Sequence, residues 1–339
     1  MCMGSSSQGF WGKLQKPIMA LAPMADVTDA AFRQLIAKYS GFKNRDGNED
    51  GFSHVVYTEF VSADGLFSPG RDVLIKDLVF SETERPIVAQ FFTAKPELMK
   101  KVAALAVELG FDGVDINMGC PDRGVEKQGA GAALIKNPTL ARELIRAAKR
   151  GAGSASRRIP VSVKTRIGYN KNELESWLPE ILAEEPAAVI IHARTRKEMS
   201  AVPAHWDVVA RGVEIRDAMK SSALILGNGD VSSVAEAKKK AEETGADGVM
   251  LGRAVFGNPW LFLNSQEFKN ISVEGKLKVM IEHTTLFEKL VSHKNFAVIK
   301  KHYKAYANGF DGAKELRIKL METKNASEVL NVVSGFLNS

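Results

Sequence analysis

The chain has 339 residues, 45% of them hydrophobic, enough for one large barrel with a smaller domain beside it. No stretch approaches a membrane span, the start MCMGSSSQGF lacks the basic and apolar regions of a signal peptide, and two cysteines, Cys2 and Cys120, cannot form a disulfide framework. A cytoplasmic protein is therefore expected. The formal charge of +6 suits a polyanionic partner without requiring one, and +4 of it lies between Asn264 and the C-terminus.

After an N-terminal extension, residues 1–16, eight apolar runs follow one another: 18–22, 54–58, 87–91, 113–117, 161–164, 188–192, 224–228 and 248–252. Most are rich in Val, Ile and Leu without strict alternation, the pattern of parallel strands buried on both faces. A polar stretch at 43–52 reads as a surface insertion, and 151–158 as a basic linker. Residues 96–109 open on a proline and carry Leu98, Val102, Leu105 and Leu109 at helical spacing, stopping at Gly110. Residues 138–149 and 232–244 behave alike, with Ser232 and Ser233 as candidate N-caps and Gly245 as a C-cap. Eight such strand–helix units in about 250 residues predict a (β/α)8 TIM barrel over 17–263. A doubly wound sheet is the alternative, but no GxGxxG follows the first run. Beyond Trp260 the strand pattern stops. Stripes at Met280, Ile281, Thr284, Phe287 and Val291, then Phe296, Ile299, Tyr303 and Tyr306, predict a small helical domain over 264–339, its last helix capped by Ser327. Tyr303 and Tyr306 read as core residues.

Barrel enzymes work at the C-terminal ends of their strands. Those ends read Ala22-Pro23-Met24, Glu59, Gln90, Asn117 with Cys120, Lys164 with Arg166, His192 with Arg194, Asn228-Gly229-Asp230 and Gly252-Arg253. The last two suit a phosphate: glycines let backbone N–H groups approach, and Arg253 adds a bidentate contact. Lys164 ends a buried strand and needs an anionic partner, for which the pyrimidine edge of a reduced flavin is one candidate, with Gln90 on the same edge. Cys120, in Gly119-Cys120-Pro121, is either a thiolate nucleophile or a neutral thiol acting as general acid. The six histidines show no HExxH and no ligand spacing with cysteine, so no metal is expected, and neither a GxSxG elbow nor a Walker loop occurs.

Taken together, Leu21-Ala22-Pro23-Met24, Asp115-Ile116-Asn117-Met118-Gly119-Cys120-Pro121, Lys164-Thr165-Arg166, His192-Ala193-Arg194-Thr195-Arg196, Asn228-Gly229-Asp230 and Gly252-Arg253-Ala254 with Pro259-Trp260 resemble the dihydrouridine synthase family. Lys301-His302, Tyr306 and Arg317 follow its pattern in the helical domain. The resemblance implies FMN held by Pro23, Met24, Gln90, Lys164, His192, Asn228, Gly229, Asp230, Gly252 and Arg253, and NADPH as electron source. It implies reduction of uridine in tRNA to 5,6-dihydrouridine, with hydride passing from flavin N5 to C6 and a proton from Cys120 to C5. Asn117 would orient the uracil, and Arg166 and Arg194 would contact the base or the RNA. Lys300, Lys301, His302 and Lys304, with Lys294 earlier in the chain, read as a phosphate track. The protein is expected to be a monomer. Ribosomal RNA as substrate, a small pyrimidine, and an RNA-binding module without catalysis are the rival readings. Two departures stand out: Ala193 where the family commonly has glycine, and no glycine within 200–203.

Overall fold

The computed structural model describes residues 8–41, 54–153, 157–263 and 271–338; the expected insertion at 43–52 lies outside them. The strands are β1 Ile18–Leu21, β2 His54–Ser62, β3 Ile87–Phe92, β4 Gly113–Met118, β5 Val161–Arg166, β6 Ala188–His192, β7 Leu224–Asn228 and β8 Gly248–Leu251. They pair in parallel and in sequence order into a closed barrel, β8 returning to β1. Helices cover the outside, so each strand is buried on both faces, which is why the sequence shows continuous apolar runs. The alternation is still present, sorted into two cores. Ile18, Ala20, Val55, Tyr57, Val88, Ile190, Leu226 and Met250 fill the barrel interior. Met19, Leu21, Val56, Ala89, Val189, Ile191, Ile225 and Leu251 pack outward against the helices. Trp11, from the turn Gly9–Lys13 within the N-terminal extension, joins the interior cluster and is almost wholly buried.

Local signals act as the sequence suggests, with two shifts. The helix Pro96–Glu108 begins on its proline, and Gly110 beyond it has φ 86°. The helix Val234–Thr244 is capped by Ser233 and closed by Gly245 in the left-handed region; Ser232 instead bonds Glu236. The last helix is Ala326–Leu337, and its cap is Asn325, whose side chain accepts from the Glu328 N–H, rather than Ser327. The helix therefore starts two residues earlier than the sequence reading placed it.

One irregularity matters later. The register of β2 against β3 shifts between Tyr57 and Phe60. With Tyr57 inside, strict alternation would put Glu59 inside as well; the shift turns Phe60 to the interior mouth and Glu59 toward the C-terminal helices. There both Glu59 carboxylate oxygens accept from Lys294 at 2.8 Å. Asp26 and Asp77 flank the same ammonium at 3.3 and 3.4 Å.

The C-terminal helices Val273–Leu290, Lys300–Tyr306, Ala313–Glu322 and Ala326–Leu337 share one continuous core with the outer barrel layer. Their junction with the barrel helix Ala30–Tyr39 is aromatic: Phe32 stacks on His283 at 4.8 Å, and His302 lies against Phe32 and Phe256 at 4.7 and 5.2 Å. Tyr303 and Tyr306 are core, as expected. His302 is buried too, only 1% exposed. It cannot belong to an exposed phosphate track, because its ring closes the junction.

Burial drives the His302 pKa down to about 3 and holds that of His283 far below its ordinary value. Unfolded, both imidazoles take up a proton below about pH 6.5. The unfolded state then binds more protons, and stability drains away as pH falls from 7 toward the folded values. Asp29, raised to about 7 by burial, acts in the opposite sense and blunts the loss. His302→Phe keeps the stack and removes one of these groups. The fall in Tm between pH 7 and pH 5 should shrink by about 2–4 °C in this variant; an unchanged fall in calorimetry contradicts the assignment.

Candidate active site

Parity decides what faces the barrel mouth. On β6 and β7 the interior positions 188, 190, 224 and 226 lead to His192 and Asn228, and on β3 Val88 leads to Gln90. Register sets Asn117 beside Lys164, Arg166 beside His192, and His192 beside Asn228. These residues line a cavity of about 700 Å³ at the C-terminal end of the barrel. Pro23, Met24, Cys120, Arg194, Gly229, Asp230, Gly252 and Arg253 line it as well, so the barrel residues nominated from the sequence as site residues meet in one place. Phe60, Met199, Ser200, Val231, Ser232 and Met250 also border it. Met250 was available from the parity of β8, whereas Phe60 was hidden by the β2 irregularity. Met199 and Ser200 arrive on a loop that no strand-end reading reaches.

The cavity is strongly cationic. Lys164, Arg166, Arg194 and Arg253 all line it. Among the described residues the Lys164 ammonium makes no hydrogen bond or ion pair. Burial, reinforced by Arg166 and opposed by Asp115, lowers its pKa to about 8. Burial and then the neighbouring cations, Lys164 first, keep His192 neutral. Its Nε2 faces an Arg194 nitrogen at 3.4 Å; since a guanidinium only donates, Nε2 is the acceptor and the proton sits on Nδ1. Asp230 holds the rim, pairing with Arg194 and, at 2.7 Å, with Arg253, and accepting from the Ala204 N–H at 3.0 Å. Gly229 has φ 134°, a conformation that side chains avoid. A methyl group there would also meet the Ala204 methyl at 2.9 Å.

Cys120 sits at the cavity wall on a clamped loop. Asn117 Oδ1 accepts from the Gly119 and Cys120 N–H groups at 3.1 and 2.9 Å. Arg166 Nε donates to the Gly119 carbonyl at 2.8 Å, and its Nη1 to the Thr195 and Met199 carbonyls at 3.0 and 3.2 Å. Much of the hydrogen-bonding capacity of Asn117 and Arg166 is thus spent on the loop that carries the cysteine and its surroundings. Arg194 is similarly engaged by the Val202 carbonyl and Asp230. Burial pushes the Cys120 thiol above its ordinary range, so at neutral pH it is a protonated acid.

The helical-domain cations divide. Lys301 and Lys304 are exposed. Lys300 turns back to the Met321 carbonyl at 2.7 Å. Lys294 is consumed by its acidic partners and does not extend the expected track. Among the described residues no group of His, Cys, Asp and Glu is placed to hold a metal ion, and no helix is long and apolar enough to cross a membrane.

Alkylation of Cys120 by iodoacetamide, followed by peptide mass spectrometry, should have a pH midpoint above that of a free thiol. At pH 7.5 it should run at least about tenfold slower than free cysteine. A midpoint below pH 8 would show an activated thiolate instead.

The dihydrouridine synthase family profile matches residues 20–339. A probable tRNA-dihydrouridine synthase 2 of Bacillus subtilis is 38% identical over 97% of this chain and 97% of its own. A probable tRNA-dihydrouridine synthase of Staphylococcus aureus is 36% identical over 97% and 96%. Among solved structures, histamine dehydrogenase from Rhizobium superposes with TM-score 0.54 at 11% identity, covering 85% of this chain, which spans about half of that one. That likeness concerns the fold alone. The chain, matched by the family profile over nearly its whole length, belongs to the dihydrouridine synthase family.

Proposed function

We propose that this enzyme reduces uridine in tRNA to 5,6-dihydrouridine, using FMN held in the barrel mouth and NADPH as the source of electrons. The observation that carries the reading is that one cavity is lined by the Cys120 thiol and by the Lys164 ammonium, which has no hydrogen-bond or ion-pair partner among the described residues. The curated relatives named for this activity on tRNA support the substrate class.

The residues present fit FMN. Lys164 offers its ammonium to an anionic ring edge, at a position where burial makes an unpaired charge costly. Gln90 borders the same cavity. The turns after β7 and β8 bring Gly229, Gly252 and Arg253 together for a phosphate, and Asp230 holds Arg253 along the rim. Neutral His192 and Asn228, whose amide donates to the Met250 carbonyl at 2.8 Å, border the cavity as well. When bound, FMN would supply the hydride that saturates C6 of the uracil.

Everything else falls to the chain. The uracil has to leave the RNA stack to enter the cavity. Cys120 Sγ would give its proton to C5 of the uracil. A thiol with a raised pKa suits that step, since it is protonated before the reaction and its thiolate gains from the nearby Arg166 and Lys164 afterwards. The cationic mouth, together with the exposed Lys301 and Lys304, favours the approach of a polyanion.

The test is single turnover. Purified protein should carry a flavin absorbance that NADPH bleaches anaerobically, and unmodified tRNA should restore it with formation of dihydrouridine. Cys120→Ala should keep the flavin and lose about 10²–10⁴-fold in the restoration rate. Full-rate uridine reduction by Cys120→Ala would overturn the acid role, and turnover of free uracil or of ribosomal RNA with none of tRNA would overturn the substrate.

A further inference from the structure

The segment 199–204 is a stretch of cavity wall that no strand carries. Met199 and Ser200 line the cavity, and Met199 is 46% exposed, an apolar tip at the mouth and not in the core. At the near end the Met199 carbonyl accepts from Arg166 Nη1 at 3.2 Å. The far end is seated on the turn after β7. Ala204 lies so close to Gly229 that a methyl group there would come within 2.9 Å of it, and the Trp206 indole donates to the Gly229 carbonyl at 3.0 Å. The Ala204 N–H donates to Asp230 Oδ2 at 3.0 Å. The same oxygen pairs with Arg194, whose Nε donates to the Val202 carbonyl at 2.6 Å. Asp230 thus holds the segment twice, directly at Ala204 and through Arg194 at Val202.

Two further observations single out Asp230. Its φ is 53°, in the left-handed region that side chains other than Asn and Asp mostly avoid. Its remaining oxygen, Oδ1, accepts from Arg253 at 2.7 Å, so its partners here are all donors. A carboxylate offers a phosphate no donor and brings a like charge toward it. We propose that Asp230 is a positioning residue: it fixes the 199–204 segment, with Met199 and Ser200, as the substrate-facing wall of the cavity, and does not itself bind the cofactor. The turn after β7 then serves two sides, with Gly229 available to a phosphate and Asp230 committed to the loop. The value of this wall for tRNA binding rests on the proposed function; the tie between Asp230 and the segment does not.

Two substitutions separate the roles. An asparagine has one acceptor oxygen for three donor partners. Set where Oδ2 stands, it keeps the Ala204 N–H and Arg194 and turns its amide nitrogen to Arg253, so Asp230→Asn retains the loop contacts and the left-handed backbone. Asp230→Gly suits the same backbone and removes every contact. The measurements, on the full-length protein as purified, are amide hydrogen exchange at Ala204, the dissociation constant for FMN and the KM for tRNA. Asp230→Gly should exchange at Ala204 at least about tenfold faster than the parent. Its KM for tRNA should rise at least about fivefold, because the wall must then be ordered on binding. Asp230→Asn should stay within about threefold of the parent in exchange, in KM and in FMN affinity. Parental exchange at Ala204 in Asp230→Gly would overturn the proposal, and so would fast exchange with a parental KM. A loss of FMN affinity of about tenfold or more in Asp230→Asn would overturn it as well, by making the carboxylate a cofactor group. Where Asp230→Gly does not fold, that affinity alone still decides between loop and cofactor. A parent protein that reduces no uridine in tRNA would overturn the proposed function, while exchange at Ala204 would still decide the tie.

Discussion

A parallel barrel has to close on itself, and closure leaves each strand only two ways to point a side chain. Once Ile18, Val55, Val88, Ile190 and Leu226 occupy the interior, the residues two further along share that direction. Gln90, His192 and Asn228 therefore reach the mouth because of what lies beneath them. A one-residue slip in any strand would send its polar end into the helix-facing layer and its apolar neighbours into the mouth. The site is in this sense a by-product of core packing, with the apolar interior acting as the ruler against which the polar ends are set.

What the mouth does follows from charge. Four cations share one cavity; Asp230 on its rim pairs with two of them, Arg194 and Arg253, and Asp115 lies beneath the floor, bonded to Gln90 and Ser162. The surplus helps keep His192 from becoming a further cation, and burial raises the pKa of the Cys120 thiol. A bound anion completes this environment rather than intruding on it. The cavity is organised before any ligand enters, which is where enzymes gain most from fixed charges.

The barrel, its strand ends and the cavity residues those ends supply were legible because each depends on one strand at a time. Apolar runs mark strands, and the residue after each run marks the mouth. What the sequence did not disclose depends on two elements at once. His302 looks like part of a basic helix face until the structure sets its ring between Phe32 and Phe256. Lys294 looks like another phosphate ligand until Glu59 is seen to hold it. Asn117 and Arg166 look like substrate ligands, and nothing local shows how far they are engaged by the Cys120 loop. Ser327 and Asn325 are both good caps by residue type, and the helix starts at the earlier one.

The irregularity in β2 reaches further than its size suggests. A regular strand would aim the Glu59 carboxylate at the same space as Lys164, and a fixed internal counter-ion would then compete with any incoming anion. Displacing that carboxylate by a single backbone step leaves Lys164 without an ion-pair partner among the described residues. The same step supplies the helical domain with a mooring post at Lys294. A cavity interior free of the Glu59 carboxylate and an ionic tie to the C-terminal helices thus descend from one dislocation in the sheet.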